Sequence, residues 1–158
     1  MIDMLLYIEF IYDWDGVAQD LEIVTYDLNK YYFLPWDKDT SFGITYNGDG
    51  VIKNSEKLLV IDYKNEDSEQ KPWYKTYHVY TKETEERYKD LRDKGVFSAE
   101  NIEKLIDSID SKLTDELRDK DNERWPERPS VDELNKVQML NWVQNRIEVL
   151  DKHFNYSE

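Results

Sequence analysis

The feature that most constrains this chain is a change of hydrophobic period near residue 81. Before it, apolar and aromatic residues come in short runs broken by turn residues. After it they recur at the +3/+4 spacing of an amphipathic helix. Met4 to Tyr12, Leu21 to Tyr26, Phe42 to Tyr46, Lys57 to Tyr63 and Trp73 to Tyr80 read as five strands. Asn47-Gly48 and Asp49-Gly50 supply the positive φ angles of a tight hairpin turn. Beyond Thr81 a short helix is expected over Lys82–Lys94, closed by Gly95. Ile102, Leu105, Ile106, Ile109, Leu113 and Leu117 form one stripe behind an N-cap at Ser98. Ser130-x-x-Glu133 has the form of a capping box opening a last helix, with Leu134, Val137, Leu140, Ile147 and Leu150 on one side. Met139, Trp142, Val143 and Val149 lie on another side, so this helix is expected to be sandwiched in the core or, alternatively, to form a dimer or partner face over residues 134–150.

Strands in one block and helices in the next predict an α+β fold, an N-terminal antiparallel sheet of about five strands packed against two or three C-terminal helices. At 158 residues a single domain is expected, mainly β over 1–80 and mainly α over 81–158.

Charge narrows the function classes. Lys and Arg number 21 against 35 Asp and Glu, a net charge of −14. Nucleic-acid binding through phosphates needs the opposite sign, as does adhesion to anionic membranes. The chain has no cysteine, which removes disulfides, thiolate metal sites and a Cys nucleophile. No apolar run approaches 18 residues and no basic segment leads into an apolar one, so the expected location is the cytosol, that of a bacterial host.

The familiar catalytic loops are absent: there is no Gly-x-Ser-x-Gly elbow, P-loop or Gly-x-Gly-x-x-Gly fingerprint. His78 and His153 have no partner at metal-ligand spacing, and no metal or cofactor is expected. The stretch Asp49 to Lys64, with an apolar strand ending in Asp62-Tyr63-Lys64, resembles the metal-binding core of PD-(D/E)xK nucleases, RecB-like members above all. That resemblance implies Asp49 and Asp62 as ligands of a divalent cation and Lys64 beside the attacking water. Asp49 lacks the preceding Pro, sits in a Gly-Asp-Gly turn, and no Gln-x-x-x-Tyr element follows.

The acidity is concentrated. Residues 1–29 hold Asp3, Glu9, Asp13, Asp15, Asp20, Glu22 and Asp27 and no Lys or Arg, half of the net charge. If residues 4–12 and 21–26 pair as strands, Glu9, Asp13, Asp15, Asp20 and Glu22 gather at one edge beside Tyr12 and Trp14. Carboxylates on alternate strand residues are about 6.8 Å apart, twice the roughly 3.4 Å charge spacing along one DNA strand. The reading that follows is a non-enzymatic acidic inhibitor that blocks a basic, nucleic-acid-binding protein, a DNA mimic similar in character to phage anti-restriction and anti-CRISPR proteins or to toxin-immunity proteins. The metal-dependent nuclease and a structural assembly subunit are the alternatives.

Overall fold

A computed structural model describes residues 1–17, 20–44, 55–61, 72–126 and 136–157. The first apolar run is a helix, α1 (Ile2–Ile11), not a strand. Met4, Leu5, Leu6, Ile8, Glu9, Phe10 and Ile11 are all buried, so this is the central helix of the molecule, apolar nearly all round. A buried run of this length has no polar face, and its period therefore does not separate a strand from a core helix. It ends in a Schellman motif. Tyr12 sits in the left-handed region at φ 54°, Tyr12 N–H bonds Glu9 C=O and Asp13 N–H bonds Ile8 C=O at 2.9 Å.

After a 3-10 turn at Asp15–Val17, β1 (Leu21–Val24) pairs antiparallel with β2 (Tyr32–Pro35) in the register Leu21↔Pro35 to Val24↔Tyr32. This hairpin is the whole of the sheet among the described residues, so the five-stranded α+β expectation gives way to a mainly helical fold. Residues 57–61 are turn and bend rather than strand, although Leu59, Val60 and Ile61 are buried. Trp73–Val79, the bulk of the last expected strand, is also helical, in α2 (Pro72–Val79). Its buried residues Trp73, Thr76 and Tyr77 are spaced i, i+3, i+4, and Pro72 occupies the first helical position, where a missing N–H costs nothing. The expected Asn47-Gly50 turn and the Ser130–Glu133 capping box lie outside the described residues.

The C-terminal half follows its pattern more closely. Helix α3 (Thr81–Asp93) closes at Gly95, φ 68°, through Gly95 N–H to Arg92 C=O and Val96 N–H to Leu91 C=O, a second Schellman motif. Ser98 caps α4 (Ala99–Asp110) by accepting from Asn101 N–H. The stripe expected to run on to Leu117 is broken by Thr114, whose side chain accepts from Leu117 N–H and starts α5 (Asp115–Arg124). Helix α6 (Lys136–His153) buries Trp142, Val143, Arg146, Ile147 and Leu150, so much of the wide apolar face of 134–150 is core.

Helices α2, α3 and α6 pack around α1. Phe10 stacks on Phe97 at 4.3 Å between ring centroids, Tyr88 on Phe154 at 4.5 Å, and Phe33 of the hairpin leans on Trp73 at 5.5 Å. Arg92 and Asp151 join α3 to α6 by a forked pair, Nε–Oδ1 2.8 Å and Nη2–Oδ2 2.9 Å, and Tyr88 donates to the same carboxylate at 2.7 Å. Burial pushes the Tyr88 hydroxyl far above its ordinary range, and the neighbouring Asp151 carboxylate adds to this, so it stays a donor.

Candidate functional site

Two carboxylates spaced four residues apart, Glu9 in the last turn of α1 and Asp13 just beyond it, are fully buried, and each organises a different loop. Glu9 accepts from Leu59 N–H at 2.6 Å through Oε1 and from Val60 N–H at 2.8 Å through Oε2. Arg146, reaching in from α6, donates to Glu9 Oε1 at 2.6 Å and to the Glu9 carbonyl at 3.0 Å through Nε. The same guanidinium donates to the carbonyls of Ser55, at 3.2 Å, and Lys57, and lies over the Tyr12 ring. Burial lowers the Arg146 pKa, opposed by the attraction of Glu9. One charge pair thereby ties α1, α6 and the 55–61 segment together, with nearly every donor and acceptor occupied.

Asp13 holds the other loop. Its Oδ1 accepts from Gly16 N–H at 2.9 Å, and Lys38 Nζ lies 2.8 Å from Oδ2, an ionic contact off the line of a well-directed hydrogen bond. Lys38 also donates to Asp20 C=O at 3.0 Å, and Thr40 donates to Asp15 Oδ2 at 2.7 Å. The carboxylate is pressed against Gly16 so closely that a Cβ there would stand 1.9 Å from Oδ2. Glycine is required at this position by a close approach rather than by its φ angle.

The residues singled out in the sequence therefore separate into two sets. Glu9 and Asp13 are internal anchors and add nothing to an acidic surface, because helix α1 turns them into the core. Tyr12 is half-buried at the helix end, and burial raises its hydroxyl pKa. Trp14 and Glu22 are exposed, with Asp15 and Asp20 half-buried beside them. The row of carboxylates on paired strands is not formed, since residues 4–12 are helical. Asp49, Asp62 and Lys64 lie outside the described residues. Sequence reasoning missed Lys38 and Arg146. Arg146 carried a readable signal, a lone cation in the apolar stripe Trp142, Val143, Ile147, Leu150, matched by a lone carboxylate within apolar α1.

Around the hairpin, aromatic side chains stand in water. Tyr26 is 91% exposed, and Tyr31, Tyr32 and Trp36 are exposed with it. Tyr26 meets Tyr32 edge-on at 6.1 Å, beside Glu22 and Asp27.

Residues 1–150 match the family described as CotH kinase protein. The chain belongs to the CotH kinase family. No curated protein and no solved structure matches it. Membership corrects the expectation of a non-enzymatic protein, because the family is described as one of kinases. The short glycine-rich loops of familiar nucleotide binders are absent from this sequence, so no such motif points to a kinase. Kinase chemistry implies a nucleotide and a divalent cation. Among the described residues of this CotH-family chain, no three Asp, Glu or His side chains converge to hold a metal, and the Glu9 and Asp13 carboxylates are taken up by internal donors. These residues do not fit a metal site. The Glu9–Arg146 and Asp13–Lys38 pairs position loops. No helix among the described residues is long and apolar enough to cross a membrane.

Proposed function

We propose that this chain works in phosphoryl transfer as a CotH-family kinase unit in the cytosol, and that its acidic, aromatic hairpin region draws a basic protein partner. The observation that carries the first part is the family match over 150 of 158 residues. The second part rests on charge and exposure. Asp20, Glu22 and Asp27 flank a hairpin whose Tyr26, Tyr31, Tyr32 and Trp36 are open to solvent, and carboxylates beside aromatic faces suit Lys and Arg through ion pairs and cation–π contacts. A nucleic-acid-binding protein is the partner class such a surface favours, since its cationic cleft already matches dense negative charge.

The test uses the purified full chain, γ-labelled ATP, and magnesium or manganese, with and without basic acceptor proteins. Label transferred to the chain or to an acceptor, co-purifying with the 19.1 kDa species, is expected. Absence of both transfer and ATP binding under every metal overturns the phosphoryl-transfer reading. The triple variant Asp20→Asn, Glu22→Gln, Asp27→Asn tests the surface. It should slow association with a basic partner and flatten its salt dependence between about 0.1 and 0.5 M, where the Debye length shrinks from about 10 Å to about 4 Å. An unchanged rate and salt response would remove the hairpin from recognition.

A further inference from the structure

The hairpin is a two-stranded sheet whose outer edges are unpaired among the described residues. Trp36 N–H donates to Asp20 C=O at 3.0 Å, so in the register Leu21↔Pro35 to Val24↔Tyr32 the hydrogen-bonded pairs are Glu22–Leu34 and Val24–Tyr32. Leu21 and Ile23 therefore direct N–H and C=O away from β2, and among the described residues no backbone group bonds them. The edge of β2 is the poorer one, because its outward residues are Phe33 and Pro35 and proline has no N–H to give. The pleat sorts the side chains in the same alternation. Phe33 leans on Trp73, so Leu21, Ile23, Phe33 and Pro35 take the inward face. Ile23 is nevertheless 58% exposed, since no strand lies beyond β1 in the sheet among the described residues. Glu22, Tyr32 and Leu34 stand exposed on the outer face, where Tyr26 meets Tyr32.

Resting on the basic-partner reading, we propose that the partner docks by strand addition: an extended segment in which Lys or Arg alternates with apolar residues pairs antiparallel with the open edge of β1. In that arrangement apolar residues lie opposite Leu21 and Ile23, exchange N–H and C=O bonds with them, and cover the flank that Ile23 leaves bare. The basic residue between them falls opposite Glu22 on the outer face, at a Cβ separation of about 4.5–5.5 Å, where opposite charges stabilise the pair. Charge selects this occupant. Residues 13–40 hold seven carboxylates against Lys30 and Lys38, and Lys38 is taken up by Asp13. A second copy of the chain is refused on the same ground. Antiparallel pairing of two β1 edges through Leu21 and Ile23 sets Glu22 directly opposite its own copy, and like charges so placed are destabilising. The backbone bonds supply affinity that does not depend on the partner's side chains, and the alternation of charge supplies the choice of segment.

The test titrates the full chain, up to about 1 mM, into a dye-labelled peptide of alternating Lys and Val with blocked ends, followed by fluorescence anisotropy. Methylating the valine amides removes the bonds to Leu21 and Ile23 while keeping the charge, and should weaken binding at least about 10-fold. Methylating the lysine amides, which point away from β1, should change the affinity by less than about 3-fold. Ile23→Pro deletes an outward N–H that β2 does not use, and should weaken the parent peptide at least about 10-fold with the circular dichroism retained. Should that variant unfold, the two methylated peptides measured on the unaltered chain decide. Equal affinity for the parent and valine-methylated peptides overturns strand addition, as does an equal loss for both methylated forms. If binding then still falls in the Asp20→Asn, Glu22→Gln, Asp27→Asn variant, the charge-based reading stands without it. Failure of every peptide to bind overturns both.

Discussion

Removing the Arg146 guanidinium is the sharpest test of how this molecule is held together. Arg146→Met keeps most of the side-chain stem and deletes the charge. Lost with it are the ion pair to Glu9 at 2.6 Å, the bonds to the carbonyls of Glu9 and Ser55 at 3.0 and 3.2 Å, and the bond to Lys57 C=O. Breaking a buried pair by removing one partner costs about 3–5 kcal/mol, because the remaining charge stays desolvated. The two amides of Leu59 and Val60 still solvate the Glu9 carboxylate, which pulls the cost toward the lower end. The carbonyls left without donors push it back up by about 1 kcal/mol each. A net loss of about 3–5 kcal/mol lowers the melting temperature by roughly 10–15 °C in a chain of this size. Urea melts followed by tryptophan fluorescence read this directly, since Trp73 and Trp142 are buried. Hydrogen exchange should show the amides of Leu59 and Val60 losing protection first. The double variant Glu9→Gln, Arg146→Met should recover at least about 1 kcal/mol relative to the sum of the single changes, because no uncompensated charge remains inside. A loss below about 1 kcal/mol for Arg146→Met, or strict additivity in the double variant, would refute the clamp.

Gly16→Ala should destabilise by at least about 2 kcal/mol, because its Cβ would stand 1.9 Å from Asp13 Oδ2 and force that carboxylate off Gly16 N–H and Lys38; calorimetry checks it, and a neutral substitution would show the pocket yields. The hydrogen bond from Arg87 holds the Asp3 carboxyl below its ordinary value of 3.8. The stability from this pair is therefore complete above that value and is lost as pH falls through the lower folded-state pKa. Asp3 is exposed and Arg87 half-buried, so water screens the pair, and Asp3→Asn should cost under about 1 kcal/mol at pH 7 and make the acid limb of the stability curve shallower below pH 4. Thr114→Ala removes the cap of α5 and should cost about 1 kcal/mol of local helix stability. Because α5 buries no residue, exchange in 115–124 should rise while the global melt moves little.

What the residues determined alone is confined to local chemistry. The spacing from Thr81 onward, the Ser98 cap and the Gly95 stop each depend on atoms within four or five positions, and α3 and α4 appear where that chemistry puts them. The concentration of charge in the first 29 residues was equally plain. The N-terminal half misled because Met4 to Tyr12 is apolar on every side, and such a run fits a buried strand or a buried helix equally well until its neighbours are known. Tertiary structure chose the helix by surrounding it with α2, α3 and α6. That choice, in turn, carried Glu9 and Asp13 from an imagined surface into the core, where Arg146 lies 137 positions along the chain from Glu9 and Lys38 25 positions from Asp13. A buried charge is tolerable only when an opposite charge and hydrogen-bond donors meet it, and chain folding alone brings such distant partners together. The stripe on α4 shows the converse. Its amphipathic spacing specified an apolar face, but whether that face met the core or stood in water was decided by the packing of α6, which covers Ile102 and Ile106 and leaves Leu105 and Ile109 exposed.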